Sequence, residues 1–121
     1  MNNTSYNIVE EKGWGSELIF ANTSEYCGKI LNFKKGKKFS MHFHALKNET
    51  WYVVKGSLDL VRINTTTSKT ETITLKTGDT ITIPKLVPHQ LFALEDSEIF
   101  EVSTTDFKTD SYRVLPGDSQ L

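Results

Sequence analysis

The chain has 121 residues, with 14 Lys and Arg against 15 Asp and Glu, and one cysteine. That length encloses one core but not two. The near-balanced charge excludes a broad electrostatic pull toward nucleic acid or anionic membrane, and a lone thiol excludes an intrachain disulfide.

The opening MNNTSYNIVEE lacks a basic-then-apolar leader, and no apolar run approaches the length of a membrane span. The reading is a soluble, cytoplasmic chain, in which the N-x-S/T sequons at Asn2, Asn22, Asn48 and Asn64 are accidental. Helical periodicity is almost absent, while β-branched and aromatic residues recur in short runs broken by Gly, Asn, Asp and Pro. In chain order the expected strands are 16–21, 26–34, 38–44, 50–63, 69–75, 80–84, 89–94 and 97–104. Their spacing is that of a closed or sandwiched antiparallel barrel. Cys27 reads as an inert strand thiol rather than a nucleophile. In KILNF, Lys29, Leu31 and Phe33 alternate onto one face. KKGKK at 34–38 is a solvated turn, and INTTTSK at 63–69 is a hairpin tip joining LDLVRI to TETITL. The polar tail TDFKTDSYRVLPGDSQL is expected to lie along the outside and end frayed.

The chain has three histidines, and two of them stand one residue apart, in SMHFH. On a strand, residues i and i+2 point to the same face, about 7 Å apart, so His42 and His44 can aim at one point. Glu49 follows after a short turn, at the start of the next strand. The third histidine, His89, lies in GDTITIPKLVPHQLF, where Pro84 and Pro88 fix its approach. Three imidazoles and a carboxylate inside a β-barrel suit a transition metal. Buried without a cation, they would leave donors and acceptors in need of partners, at a cost of several kcal/mol if unmet. The ion expected is one divalent transition metal, such as Zn, Fe, Mn or Ni, and affinity does not choose among them.

These residues carry a resemblance to the cupins. The first cupin motif is a glycine, five residues, H-x-H, four residues, glutamate, six residues and glycine; Gly36, His42, His44, Glu49 and Gly56 meet it throughout. Of the second motif, Gly78, Pro84 and His89 match, whereas Leu86 stands where glycine is usual and Ala93 where asparagine is usual. If that position requires a positive φ, Leu86 is strained there by about 1 kcal/mol. The resemblance implies an all-β cupin barrel, a double-stranded β-helix or jelly roll, forming a single domain over 1–121 with its core at about 14–105 and both terminal extensions packed outside. It also implies a metal on His42, His44, Glu49 and His89. A narrower similarity, carried by KGWGSELIF, Lys29, IPKLVPHQL and EVSTTDFKTDSYRV, is to the small cupin domain of type II mannose-6-phosphate isomerases. There Gly13 replaces a proline before Trp14, and Ser111–Tyr112 replaces the usual pair before Arg113.

Three functions are compatible with this motif set. The favoured one is a sugar or sugar-phosphate isomerase, in which a base moves a proton through an enediol. Lys29, in phase with Leu31 and Phe33, would meet the substrate; Arg113 is a second anchor; Glu49 or Glu101 is the base. The ordinary alternatives are Lys29 reaching out of an edge strand, and Glu101 pairing with Arg113 at the surface. The second function is an iron-dependent dioxygenase of a small organic substrate, with an apolar pocket of Phe33, Trp51, Val53 and Phe92. The third is a non-catalytic metal- or sugar-binding module, with Trp14 and Trp51 stacking on a sugar ring. A homodimer is expected, formed by pairing outer sheets or by exchanging the segment YNIVEEKGWGSELIF.

Overall fold

The computed structural model describes residues 7–121; Asn2 and the first residue of the segment expected to exchange, Tyr6, lie outside that range. Among the described residues eleven strands form two sheets: β1 (Ile8–Lys12), β2 (Gly15–Asn22), β3 (Cys27–Phe33), β4 (Met41–Phe43), β5 (Glu49–Lys55), β6 (Ser57–Ile63), β7 (Thr70–Lys76), β8 (Thr80–Ile83), β9 (His89–Ala93), β10 (Ser97–Ser103) and β11 (Tyr112–Leu115). The first sheet runs β1-β2-β3-β10-β5-β8 and the second β11-β4-β9-β6-β7, with antiparallel neighbours throughout. This is the expected all-β jelly-roll barrel.

Alternation in the strands builds the interior. On β3 the inward set is Cys27, Lys29, Leu31 and Phe33; on β10 it is Ser97, Ile99 and Glu101; on β5 it is Glu49, Trp51 and Val53, all buried. The lower half of the barrel is apolar, with Leu58, Leu60, Leu91, Ala93 and Ile99 fully enclosed among Leu31, Phe33, Val53 and Ile83. Trp14 stacks on Phe33 with centroids 4.5 Å apart. The upper half of the same strands carries the charged residues, so one barrel end is a packed core and the other a polar chamber.

Four local features depart from the sequence reading. The run 50–63 is two strands, because Gly56 has φ 97° and hands the chain from one sheet to the other. A Cβ there would lie 2.1 Å from Ser97 Oγ and 2.7 Å from Asp96 O, so only glycine fits the crossing. β1 forms within its own chain, paired with β2 from Ile8↔Ile19 to Lys12↔Gly15, although its polar sequence gives no alternation. β11 pairs with β4, with Arg113 opposite His42. The end of the chain is anchored: Lys38 N–H donates to Asp118 Oδ2 at 2.7 Å, Asp118 N–H to Lys38 O at 2.9 Å, and Gly13 N–H to Ser119 Oγ at 3.0 Å. The turn at 34–38 and the hairpin tip at 64–69 stand as expected, the tip closed by Asn64 Oδ1 accepting the N–H groups of Thr66 and Thr67.

Candidate metal centre

His42 on β4 and His89 on β9 are directly paired across the second sheet, and His44 follows immediately after β4. Their ring centroids lie 4.7 Å (His42–His89), 4.9 Å (His42–His44) and 5.6 Å (His44–His89) apart. Each ring is oriented by a backbone carbonyl. His42 Nδ1 donates to Ser40 O at 2.7 Å, His44 Nδ1 to Asp110 O at 2.6 Å, and His89 Nδ1 to Val87 O at 2.9 Å. A carbonyl only accepts, so each Nδ1 carries the proton and a neutral ring presents the Nε2 lone pair to the chamber. The three imidazoles offer ligand atoms within 4.8 Å of one another, a group able to hold a metal ion.

The charge state fits that role. Burial holds the His42 imidazolium down to about 3, reinforced by His89 and His44 and opposed by the Ser40 carbonyl and Glu49. Burial, then the Lys47 ammonium, lowers His44. Neutral imidazole is the form a metal takes.

Glu49, at the start of β5, reaches the same point from the first sheet. Its Oε1 lies 3.1 Å from His89 Nε2 and its Oε2 3.8 Å from His44 Nε2. With His89 protonated on Nδ1, the shorter contact sets two lone pairs face to face, and a cation between them resolves it. His89 Nε2 is accordingly buried without a hydrogen-bond partner among the described residues, and the buried Glu49 Oε2, in ion-pair contact with Lys47 Nζ at 2.9 Å, accepts no hydrogen bond among them. Burial alone would raise the Glu49 carboxyl; the Lys47 ammonium 2.9 Å away outweighs it and holds the group well below the usual carboxylate range. These orphaned atoms and the all-nitrogen-and-oxygen donor set fit a divalent transition metal.

The three residues expected to act beside the metal all line one cavity of about 420 Å³ with His42, His44 and Glu49. Lys29 and Glu101 are cross-strand partners on the inner face, and Glu101 is likewise paired with Trp51. β3 is an interior strand and Lys29 is 6% exposed, so it does not reach out from a sheet edge. Lys29 Nζ meets Glu17 Oε1 at 2.5 Å and Asp106 Oδ2 at 3.2 Å. Glu101 accepts from Trp51 Nε1 at 3.1 Å and from Lys47 Nζ at 3.3 Å, and makes no ion pair with Arg113. Burial, then the charge of Glu49, raises the Glu101 carboxyl above its usual value, against Lys47, Lys29 and Trp51. Arg113 is exposed at the cavity wall and forms no ion pair among the described residues.

The apolar pocket that the dioxygenase alternative needed from Phe33, Trp51, Val53 and Phe92 does not form; the ordinary reading of Phe33, Trp51 and Val53 as core is the one that holds. Of these only Trp51 lines the cavity; Phe33 and Val53 are core. Glu17, Lys47, Asp106 and Asp110 were not foreseen. Asp110 is 4% exposed, and its carboxylate accepts the N–H groups of Ala45 (2.8 Å), Leu46 (3.1 Å) and Lys47 (3.1 Å), fixing the loop from His44 to Glu49. A buried aspartate in a polar tail has no sequence signature.

Residues 29–104 match the family model described as the Cupin domain. No curated protein matches. Among solved structures, KdgF from Halomonas sp. is 23% identical, with 78% of this chain and 81% of that one covered at a TM-score of 0.67. Oxalate decarboxylase from Bacillus subtilis is 16% identical over 94% of this chain, at a TM-score of 0.78. The capsular polysaccharide assembling protein CapF from Staphylococcus aureus is 18% identical over 90% of this chain, at a TM-score of 0.75. The match covers only 32% of the oxalate decarboxylase chain and 34% of the CapF chain. At these identities the likeness is one of fold.

Proposed function

The chain belongs to the cupin domain family, and from that premise we propose that it is a metal-dependent enzyme interconverting an aldose and a ketose, with a sugar phosphate as substrate. Its nearest functional analogue in this reading is the cupin domain of type II mannose-6-phosphate isomerases. The observation that carries it is the convergence of three oriented Nε2 atoms and one carboxylate beside a charged, aromatic cavity whose wall includes His42, His44 and Glu49.

His42, His44, His89 and Glu49 hold one divalent ion, Zn, Fe, Mn or Ni. The Bacillus subtilis oxalate decarboxylase, a protein of similar fold, has Mn(II) centres. When bound, the ion supplies Lewis-acid polarisation of a substrate carbonyl or hydroxyl oxygen. Glu101 takes the proton from C2 and returns it to C1 while the hydroxyl proton passes from O2 to O1, the substrate going through an enediol, so both protons and the electron pairs balance. Its raised carboxyl suits that exchange: a base poised nearer neutrality accepts and releases a proton with little cost either way. Trp51 and Lys47 fix the carboxylate in place. Lys29 stands beside it as a donor toward substrate hydroxyls, and Trp14, Phe39 and Trp51 offer ring faces to the sugar. Arg113, opposite His42 and without a carboxylate partner among the described residues, binds the anionic end.

The molecule works as a cytoplasmic homodimer. Tyr52, Phe100 and Val102, exposed on the outer face of the six-stranded sheet, support pairing through that face, whereas β1 is already paired within its own chain.

The test is a panel of aldose and ketose phosphates incubated in D2O with protein loaded in turn with Zn, Mn, Fe and Ni. Interconversion with deuterium entering at the carbon receiving the proton is expected, and Arg113→Ala raises KM for the phosphate ester. Oxygen uptake by the iron form with no exchange at C2 overturns the isomerase in favour of a dioxygenase. Binding of sugars with neither exchange nor uptake overturns it in favour of a binding module.

A further inference from the structure

We propose that Lys47 is a positioning residue that shares Glu49 with the metal, one carboxylate oxygen each, and thereby sets how tightly the site holds a divalent cation. The proposal rests on the metal reading of the three histidines and Glu49.

Lys47 reads in sequence as a loop lysine, yet it is 4% exposed. Its Nζ lies 2.9 Å from Glu49 Oε2, 3.2 Å from Asp106 Oδ1 and 3.3 Å from Glu101 Oε2. Three carboxylates thus surround the ammonium within ion-pair distance, Glu101 accepting its hydrogen bond, so its charge is taken up by the protein itself. The other Glu49 oxygen, Oε1, turns toward His89 Nε2. The two oxygens of one carboxylate therefore face different cations. Asp110 fixes the division: its carboxylate accepts the Lys47 N–H while its carbonyl accepts His44 Nδ1, so ligand and lysine are held by one residue.

The local charge count gives the consequence its sign. Glu17, Glu49, Glu101 and Asp106 face Lys29 and Lys47 across the chamber, four carboxylates against two ammoniums. With all of them ionised, a divalent cation brings this group to neutrality. Without Lys47 the deficit becomes three, Glu49 has both oxygens for the ion, and the nearest repelling charge is gone. The metal is then held more tightly. A lysine that merely braced the loop would give the opposite result, because its loss would let Glu49 drift and metal would be lost.

The experiment compares wild type with Lys47→Met, whose unbranched side chain fills the same channel without charge. Free Mn2+ is followed by electron paramagnetic resonance at fixed pH and ionic strength, and Zn2+ by competition with a chromophoric chelator. Lys47→Met is expected to lower Kd for both ions about tenfold, equivalent to about 1.4 kcal/mol. An unchanged or higher Kd overturns the proposal. If Lys47→Met fails to fold, Lys47→Gln serves instead: it removes the same charge while keeping a hydrogen-bond donor, Kd is expected to fall about tenfold, and an unchanged or higher Kd overturns the proposal. A wild-type protein that binds neither ion sinks the metal reading itself, an outcome separate from a wild type that binds while the variants do not differ from it.

Discussion

Replacing Asp110 by alanine probes the device that aligns the site. The carboxylate of Asp110 accepts three consecutive amides, those of Ala45, Leu46 and Lys47, at 2.8 to 3.1 Å, and is itself buried. Hydrogen bonds to a charged acceptor contribute about 1.5–3 kcal/mol each. The three do not count equally. Lys47 is enclosed and loses its acceptor outright, Ala45 is half-buried, and Leu46 at 60% exposed recovers a water. Roughly 2, 1 and 0 kcal/mol for these sites sum to about 3 kcal/mol. With unfolding entropy near 2.1 cal/mol/K per residue over 121 residues, that loss lowers Tm by about 12 °C. Circular-dichroism melting in chelator measures it without the metal contributing. Asp110→Asn, which keeps an acceptor but not the charge, is expected to lose about half as much. The backbone carbonyl that orients His44 stays in the alanine variant, but the loop carrying His44 to Glu49 loses its tether, so the variant also binds Zn2+ at least tenfold more weakly. If Asp110→Ala melts within about 2 °C of wild type, the loop is held by something else and the reasoning fails.

Acid should destabilise the metal-free protein from pH 6.5 downward. The unfolded chain takes up a proton on His42 near 6.5 and the folded one only near 3, so the contribution of this neutral imidazole is full above 6.5 and falls as pH drops toward 3. The slope is about 1.4 kcal/mol per pH unit for one such group. His44 and Glu49, both lowered in the folded state, act in the same direction, while the raised Glu101 opposes them. Melting in chelator at pH 7.5, 6.5 and 5.5 is expected to show Tm falling, and a flat or rising Tm contradicts the neutral-imidazole assignment. Leu86→Gly is expected to stabilise. Leu86 sits at φ 71° on an exposed turn, and relief of about 1–2 kcal/mol of left-handed strain exceeds the extra chain entropy of glycine by roughly 0.5 kcal/mol, or about 2 °C in the same melt.

What could be read from the sequence is what depends on local period. His42, His44 and Lys29 were placed because strand side chains repeat every second residue, and the sheet register then brings Lys29 opposite Glu101. His89 was placed by its flanking prolines. The positive φ of Leu86 followed from the glycine expected at its position. The rest is non-local. Lys47 is buried only because Glu101 and Asp106, more than fifty residues on, arrive around it. The single run 50–63 broke at Gly56 because the space beside it is taken by Asp96 and Ser97 of a distant strand connection, which no local pattern records. β1 and β11 lie at sheet edges with mostly exposed side chains, so their sequences carry no alternation to find.

The central claim is that one divalent cation sits among His42, His44, His89 and Glu49. Anomalous diffraction at the zinc and manganese absorption edges, from crystals grown with each ion, tests it most directly. The account predicts a single strong peak bonded to the three Nε2 atoms and to the Glu49 carboxylate. No peak between those side chains, or an ion bound through any Nδ1, would contradict it.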